Sequence, residues 1–168
     1  HGILLASRGF TLLELLIVTV ILGVLASIAV PFFQGMQVRA HQAETRANLG
    51  GVHVAEVSYH GEFGRYGSFD EIGFALAGVS TRYTYRSPAA GGAAGSTNTA
   101  NVDLLVAQGG SVTAENTLVP SGATLPGGGV ASFTATATGN LDEDATLDQW
   151  HVTQDKSGLD FPDVNDNI

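Results

Sequence analysis

The chain has 168 residues, a formal net charge of -9 and only 14% charged residues. That length holds one domain plus a membrane segment, and the excess of acid repels phosphate backbones, which sets nucleic-acid binding aside as a main role. The absence of cysteine removes disulfides, zinc–thiolate sites and thiol nucleophiles together. An exported domain of this size then draws its rigidity from a long packed helix, neighbouring subunits or a metal.

Residues 1–9 form a short, mostly apolar lead-in with Arg8 near its end. The chain opens on His1, which places the translational start upstream. From Phe10 to Phe33 the sequence FTLLELLIVTVILGVLASIAVPFF carries one ionisable group, Glu14. As a helix rising about 1.5 Å per residue it spans roughly 33–36 Å, enough for a bilayer core. Arg8 on the short side puts the N-terminus in the cytoplasm by the positive-inside rule, and everything after residue 33 outside the inner membrane.

A secretory signal peptide would need a cleavage site such as Ala26-Ser27-Ile28-Ala29, but the apolar run is too long and helix continues beyond it. A plain single-pass anchor leaves Glu14 unexplained, because a carboxylate one turn into an apolar run costs a few kcal/mol unless it acquires a partner. Gly23 and Pro31 weaken the same helix, glycine by about 1 kcal/mol and proline by removing the N–H that would bond the Ser27 carbonyl. An ordinary kinked membrane helix would account for both.

The run Arg8-Gly9-Phe10-Thr11-Leu12-Leu13-Glu14-Leu15-Leu16-Ile17-Val18, with Gly23 and Ala29-Val30-Pro31 after it, resembles the N-terminal signal of type IV pilins and type II secretion pseudopilins. That resemblance implies cleavage between Gly9 and Phe10 by a membrane prepilin peptidase and methylation of the new Phe10 amine. It also implies pairing of Glu14 with the Phe10 ammonium of an adjacent subunit, and a segment from Gly23 to Pro31 that melts in the filament. The physics agrees: a buried carboxylate beside an opposite charge recovers much of its desolvation cost, and the ammonium exists only after cleavage.

From Gln34 to about His60 the apolar positions follow a helical, amphipathic pattern, interrupted at Gly50-Gly51. Residues 10–60 therefore read as one long helix: a membrane and filament-core part (10–33), then an amphipathic half (34–61) that carries a head (62–168). Glycines alternating with aromatics from Glu62 to Phe74 predict a tight loop pinned by buried rings. Strands are expected at Thr81–Ser87, Val102–Gln108, Val130–Thr138 and Thr146–Thr153, antiparallel with one face on the helix. A Gly/Ala/Ser-rich insertion covers about 87–129, with Gly127-Gly128-Gly129 as a hinge. The fold class is α+β.

Within the head, Arg65-Tyr66…Glu71-Ile72-Gly73-Phe74, Arg82-Tyr83-Thr84-Tyr85 and Gly139-Asn140-Leu141-Asp142…Asp148-Gln149-Trp150 resemble the major pilins of twitching and gliding bacteria. That likeness favours a filament-forming pilin over a pseudopilin. It implies as partners further copies of the chain, the prepilin peptidase, the pilus assembly platform and its motor. The implied path runs from the inner membrane to a pilus on the cell surface.

The acidic end, Asp142 to Ile168, has eight acids against Lys156 and reads as a solvated, mobile terminus. Asp142, Asp144 and Asp148 are candidate calcium ligands, although the spacing lacks the EF-hand glycine and terminal glutamate. The competing reading is a solvated acidic turn between two strands. His53, Glu56 and His60 share a helix face without a His-Glu-x-x-His arrangement, so a polar face or subunit contact is expected there. No nucleophile motif, phosphate loop or dinucleotide fingerprint is present, and no enzyme is expected. The aromatics Phe10, Phe32, Phe33, Tyr59, Phe63 and Tyr66 read as packing and interfacial anchors rather than an electron-conducting track.

Overall fold

A computed structural model describes residues 10–76, 82–88, 102–105, 123–141 and 145–166. The chain divides into two compact units, His1–Gln37 and Val38–Ile168. One helix, α1 (Leu12–Phe63), contributes to both.

In the first unit α1 is apolar on every side, and each residue from Phe10 to Gln34 is exposed. The helix is long and apolar enough to cross a membrane. It continues through Pro31 without a break, although proline leaves the Ser27 carbonyl without its backbone donor. The Ser27 hydroxyl bonds the Val24 carbonyl at 2.7 Å, a contact that itself tends to bend helices.

In the second unit the same helix buries Val38, Thr45, Leu49, Val52 and Glu56, the helical spacing of a face laid on a sheet. It ends at Gly64, whose φ of 69° and N–H bond to the His60 carbonyl at 2.8 Å make a left-handed glycine stop. The apolar pattern is interrupted at Gly50-Gly51, but the helix runs through both glycines, as the reading of one long helix expected. A Cβ on Gly51 would lie 3.0 Å from the Phe74 ring, so this glycine admits the loop's aromatic against the helix and does not end it.

The sheet has five strands: β1 (Tyr83–Pro88), β2 (Val102–Leu105), β3 (Gly127–Gly128), β4 (Phe133–Gly139) and β5 (Asp148–Thr153). All pairings are antiparallel. The four expected strands are present; the ends of β1, β4 and β5 are shifted, and residues 106–108 of the second expected strand lie outside the described residues. Gly127-Gly128 is not a hinge but a short strand paired with Phe133 and Thr134.

β4 is central, with β5 along one edge and β1 and β3 sharing the other. Its alternation sends Phe133, Ala135 and Ala137 into one core with Leu49, Val52, Tyr83, Tyr85, Trp150 and Val152. Full burial of each such Leu, Val or Phe contributes about 1.5–3 kcal/mol. Gly139 stands opposite both Tyr83 and Asp148. A Cβ there would lie 2.7 Å from the Arg82 carbonyl and 3.0 Å from the Tyr83 ring, so glycine is what lets that ring cross the sheet.

The loop after α1 is pinned as its composition predicts, with Phe69 buried and Tyr66, Ile72 and Phe74 packed on the core. A two-pronged ion pair closes it: Arg65 Nη2 to Glu71 Oε1 at 2.7 Å and Nη1 to Oε2 at 3.1 Å. The Arg65 hydrogen bonds, helped by the Ser68 N–H, pull the Glu71 carboxyl from 4.5 down to about 2. A depressed acid stabilises the fold above its ordinary pKa, and that contribution disappears as pH falls from about 4.5 to about 2. Glu71→Gln is therefore expected to melt slightly below the unmodified protein at pH 6 and together with it at pH 2. The difference at pH 6 should be small, because the pair is partly exposed. Parallel melting curves at both pH values would contradict this assignment.

The acidic end is not a solvated terminus over its described length. Gln149 exchanges backbone bonds with this segment, donating to the Val164 carbonyl at 2.9 Å and accepting from Asp163 N at 2.7 Å. His151 Nδ1 lies 2.8 Å from the Asp163 carboxylate, and Asp166 is buried with Oδ2 accepting the Leu141 N–H at 2.9 Å.

Candidate functional site

The predicted cleavage bond joins Gly9, outside the described residues, to Phe10, which is exposed ahead of the helix. Thr11 and Glu14 form a reciprocal cap. Glu14 Oε2 accepts from both Thr11 N and Thr11 Oγ1 at 2.9 Å, and Glu14 N donates to Thr11 Oγ1 at 3.1 Å. This arrangement satisfies orphan donors at the start of the helix and favours a negative group there. Both side-chain bonds fall on Oε2. Thr11 was not singled out as a functional residue from sequence, although the pattern Thr-x-x-Glu before an apolar run is a readable signal.

Glu14 thus stands one turn into an apolar helix, held by its own N-terminus, in a unit whose described side chains are exposed throughout. Gly23 and Pro31 lie farther along the same uninterrupted helix. Beside Pro31 an open apolar hollow of about 660 Å³ is lined by Ala29, Val30, Phe32, Phe33, Gln34 and Gln37.

A second feature belongs to the half of α1 that carries the head. Opposite its buried stripe, Met36, Ala40, Ala43, Ala47, Gly50, Val54, Val57 and Gly61 recur at alternating steps of four and three, and all are exposed except the half-buried Gly50. A helix with apolar residues on both faces calls for cover on both, and a repeat of 3.5 residues is the spacing of helix-to-helix packing.

The remaining sequence candidates separate. Asp142 and Asp144 lie outside the described residues. Asp148 turns its carboxylate into the head, where it accepts from Tyr83 Oη at 2.5 Å, Trp150 Nε1 at 2.6 Å, Gln42 Nε2 at 3.0 Å and Asp166 N at 3.2 Å. Burial, reinforced by the Asp148 charge, pushes the Tyr83 hydroxyl far above the usual phenol range, so it stays protonated and donates.

His53, Glu56 and His60 go to three different partners. His53 Nε2 meets the Gln154 carbonyl at 3.0 Å. Glu56 is fully buried and accepts from Gly67 N at 3.0 Å and Ser87 Oγ at 3.3 Å. The His60 ring stacks on Tyr66 at 4.6 Å. Among the described residues no group of three or more His, Asp or Glu is placed to hold a metal ion.

The helix start matches the family model described as the prokaryotic N-terminal methylation motif, over residues 4–30. Beyond that motif, the chain is 36% identical to the type IV major pilin protein PilA of Myxococcus xanthus, over 87% of this chain and 79% of that protein. The chain belongs to the type IV pilin family. Shorter likenesses join this pilin to two other proteins. The type IV narrow pilus major component PilA5 of Thermus thermophilus is 47% identical over 29% of this chain and 42% of its own. The type II secretion system core protein G of Pectobacterium carotovorum is 39% identical over 38% of this chain and 41% of its own. The secretion protein's likeness therefore covers less than half of the pilin, whereas the major pilin's runs through most of it.

Proposed function

We propose that this pilin is the structural subunit of a type IV pilus, anchored in the inner membrane by residues 10–33 and then stacked into a surface filament. The observation that carries the reading is Glu14: a carboxylate inside an apolar helix that is exposed on all sides. In the membrane or in a polymer it needs a positive partner. Cleavage after Gly9 supplies one, by turning the Phe10 amide nitrogen into an ammonium that methylation leaves charged. With Thr11 holding Oε2, Oε1 is the oxygen turned to the Phe10 ammonium of a neighbouring copy.

The apolar helix and the small-residue stripe from Met36 to Gly61 support the same reading, since neighbouring copies would cover both. The Gly23–Pro31 segment is the place where the helix would loosen inside the polymer, because proline has already removed one of its backbone bonds. Surface filaments sheared from cells expressing the full chain are expected to contain it as their main protein, and deletion of the chain should remove them. A fibre found only in the periplasm, and only with active secretion, would overturn the pilus assignment in favour of a secretion pseudopilin.

A further inference from the structure

Acids outnumber bases 16 to 7 in this chain, so a base within reach of an acid should be paired. Arg65 follows that rule with Glu71. Arg46 and Lys156 do not: among the described residues neither is in an ion pair. Both open onto one groove of about 490 Å³ whose other walls are Ala47, Gly50, Leu159 and Asp160. Of these, Ala47 and Gly50 belong to the small-residue stripe and Leu159 packs against the core.

The Arg46 guanidinium lies over the Trp150 ring, 5.7 Å from its centroid, which fixes the charge at the groove without neutralising it. Lys156 is set by a left-handed backbone, φ 59°, and held there by its N–H bond to the Thr153 carbonyl at 2.9 Å. Asp160 offsets part of the positive charge and leaves an excess of one.

We infer that this groove receives the acidic segment Asp142-Glu143-Asp144 of a second copy, forming a lateral contact between heads. The inference rests on the pilus reading above. Charge complementarity supplies the argument. Stacked copies of -9 each repel one another, and a polymer needs attractive contacts between unlike patches of the same subunit. The three consecutive acids are the densest negative run in the sequence, and the groove gathers two bases that are in no ion pair among the described residues. Opposite charges meeting across a contact set its register and discriminate against wrong packings.

The test uses the full chain in filaments. R46E/K156E is expected to lower sheared filament yield roughly tenfold, and D142K/E143K/D144K to do the same, while the combined variant recovers to within about twofold. Because the chain has no cysteine, two differently tagged copies, one K156C and one D144C, can be co-expressed. A disulfide joining the two tags is expected under oxidation. Normal yield from either reversal, loss without rescue in the combination, or absence of the mixed disulfide from intact filaments would overturn the groove contact and leave the pilus reading standing. Absence of filaments from the unmodified chain would overturn both. Reversals that leave filaments intact but abolish retention on immobilised heparin, the polyanion probe, would assign the groove to an outside polyanion instead.

Discussion

Glu14→Ala is expected to leave subunits trimmed and resident in the membrane but nearly absent from surface filaments. Removing one partner of a desolvated ion pair strands the other charge, at a cost of about 3–5 kcal/mol. That corresponds to roughly two to three and a half orders of magnitude in an association constant. The helix cap confounds this variant, because Glu14 also accepts both bonds from Thr11. Glu14→Gln separates the roles: its amide oxygen can still accept from Thr11, but it carries no charge. Both variants should fail to assemble if charge neutralisation governs polymerisation. Normal filament yield from Glu14→Gln would reduce Glu14 to a helix cap and remove the physical basis of the assembly step.

The second large effect is expected in the head. Asp148→Ala withdraws the acceptor shared by Tyr83, Trp150, Gln42 and the Asp166 backbone, removing four hydrogen bonds around a buried carboxylate. Each such loss costs about 1–3 kcal/mol before relaxation. A total near 4 kcal/mol is expected, a large share of the roughly 5–15 kcal/mol by which domains are stable. Thermal unfolding of the detergent-solubilised full chain measures it. The loss should exceed that of Asp160→Ala, an exposed acid with a formal charge change of the same sign. Equal melting of the two variants would mean that the Asp148 network adds nothing beyond charge.

These two sites differ in how far the sequence exposed them. Glu14 was legible because its oddity is local: one acid in an apolar run, with its capping partner three residues earlier. The long helix and the four longer strands were legible for a similar reason, since periodicity is written along the segment itself. Asp148 was hidden among eight acids and read as part of a solvated or calcium-binding loop. Its burial is decided by Gln42 and Tyr83, 106 and 65 positions away, and no local pattern encodes that.

Glu56 is the same case, a helical acid with sequence neighbours His53 and His60 whose acceptor role is set by Gly67 and Ser87. Gly127-Gly128 misled in the opposite direction. Glycine ordinarily marks a break, but at Gly51 the Phe74 ring requires its lack of a side chain, and Gly127-Gly128 is held as a strand by β4. Without disulfides, the head is closed by polar contacts, those of Asp148 with Gln42 and Tyr83, of Asp166 with Leu141 and of His151 with Asp163.

The most direct test of the central claim is mass spectrometry of the N-terminal peptide from purified surface filaments. The expected peptide begins at Phe10 and carries one added methyl group on its amine, with residues 1–9 absent. Filaments whose subunits retain the residues before Phe10, or begin at any other position, would lack the ammonium that Glu14 is argued to meet and would contradict the account.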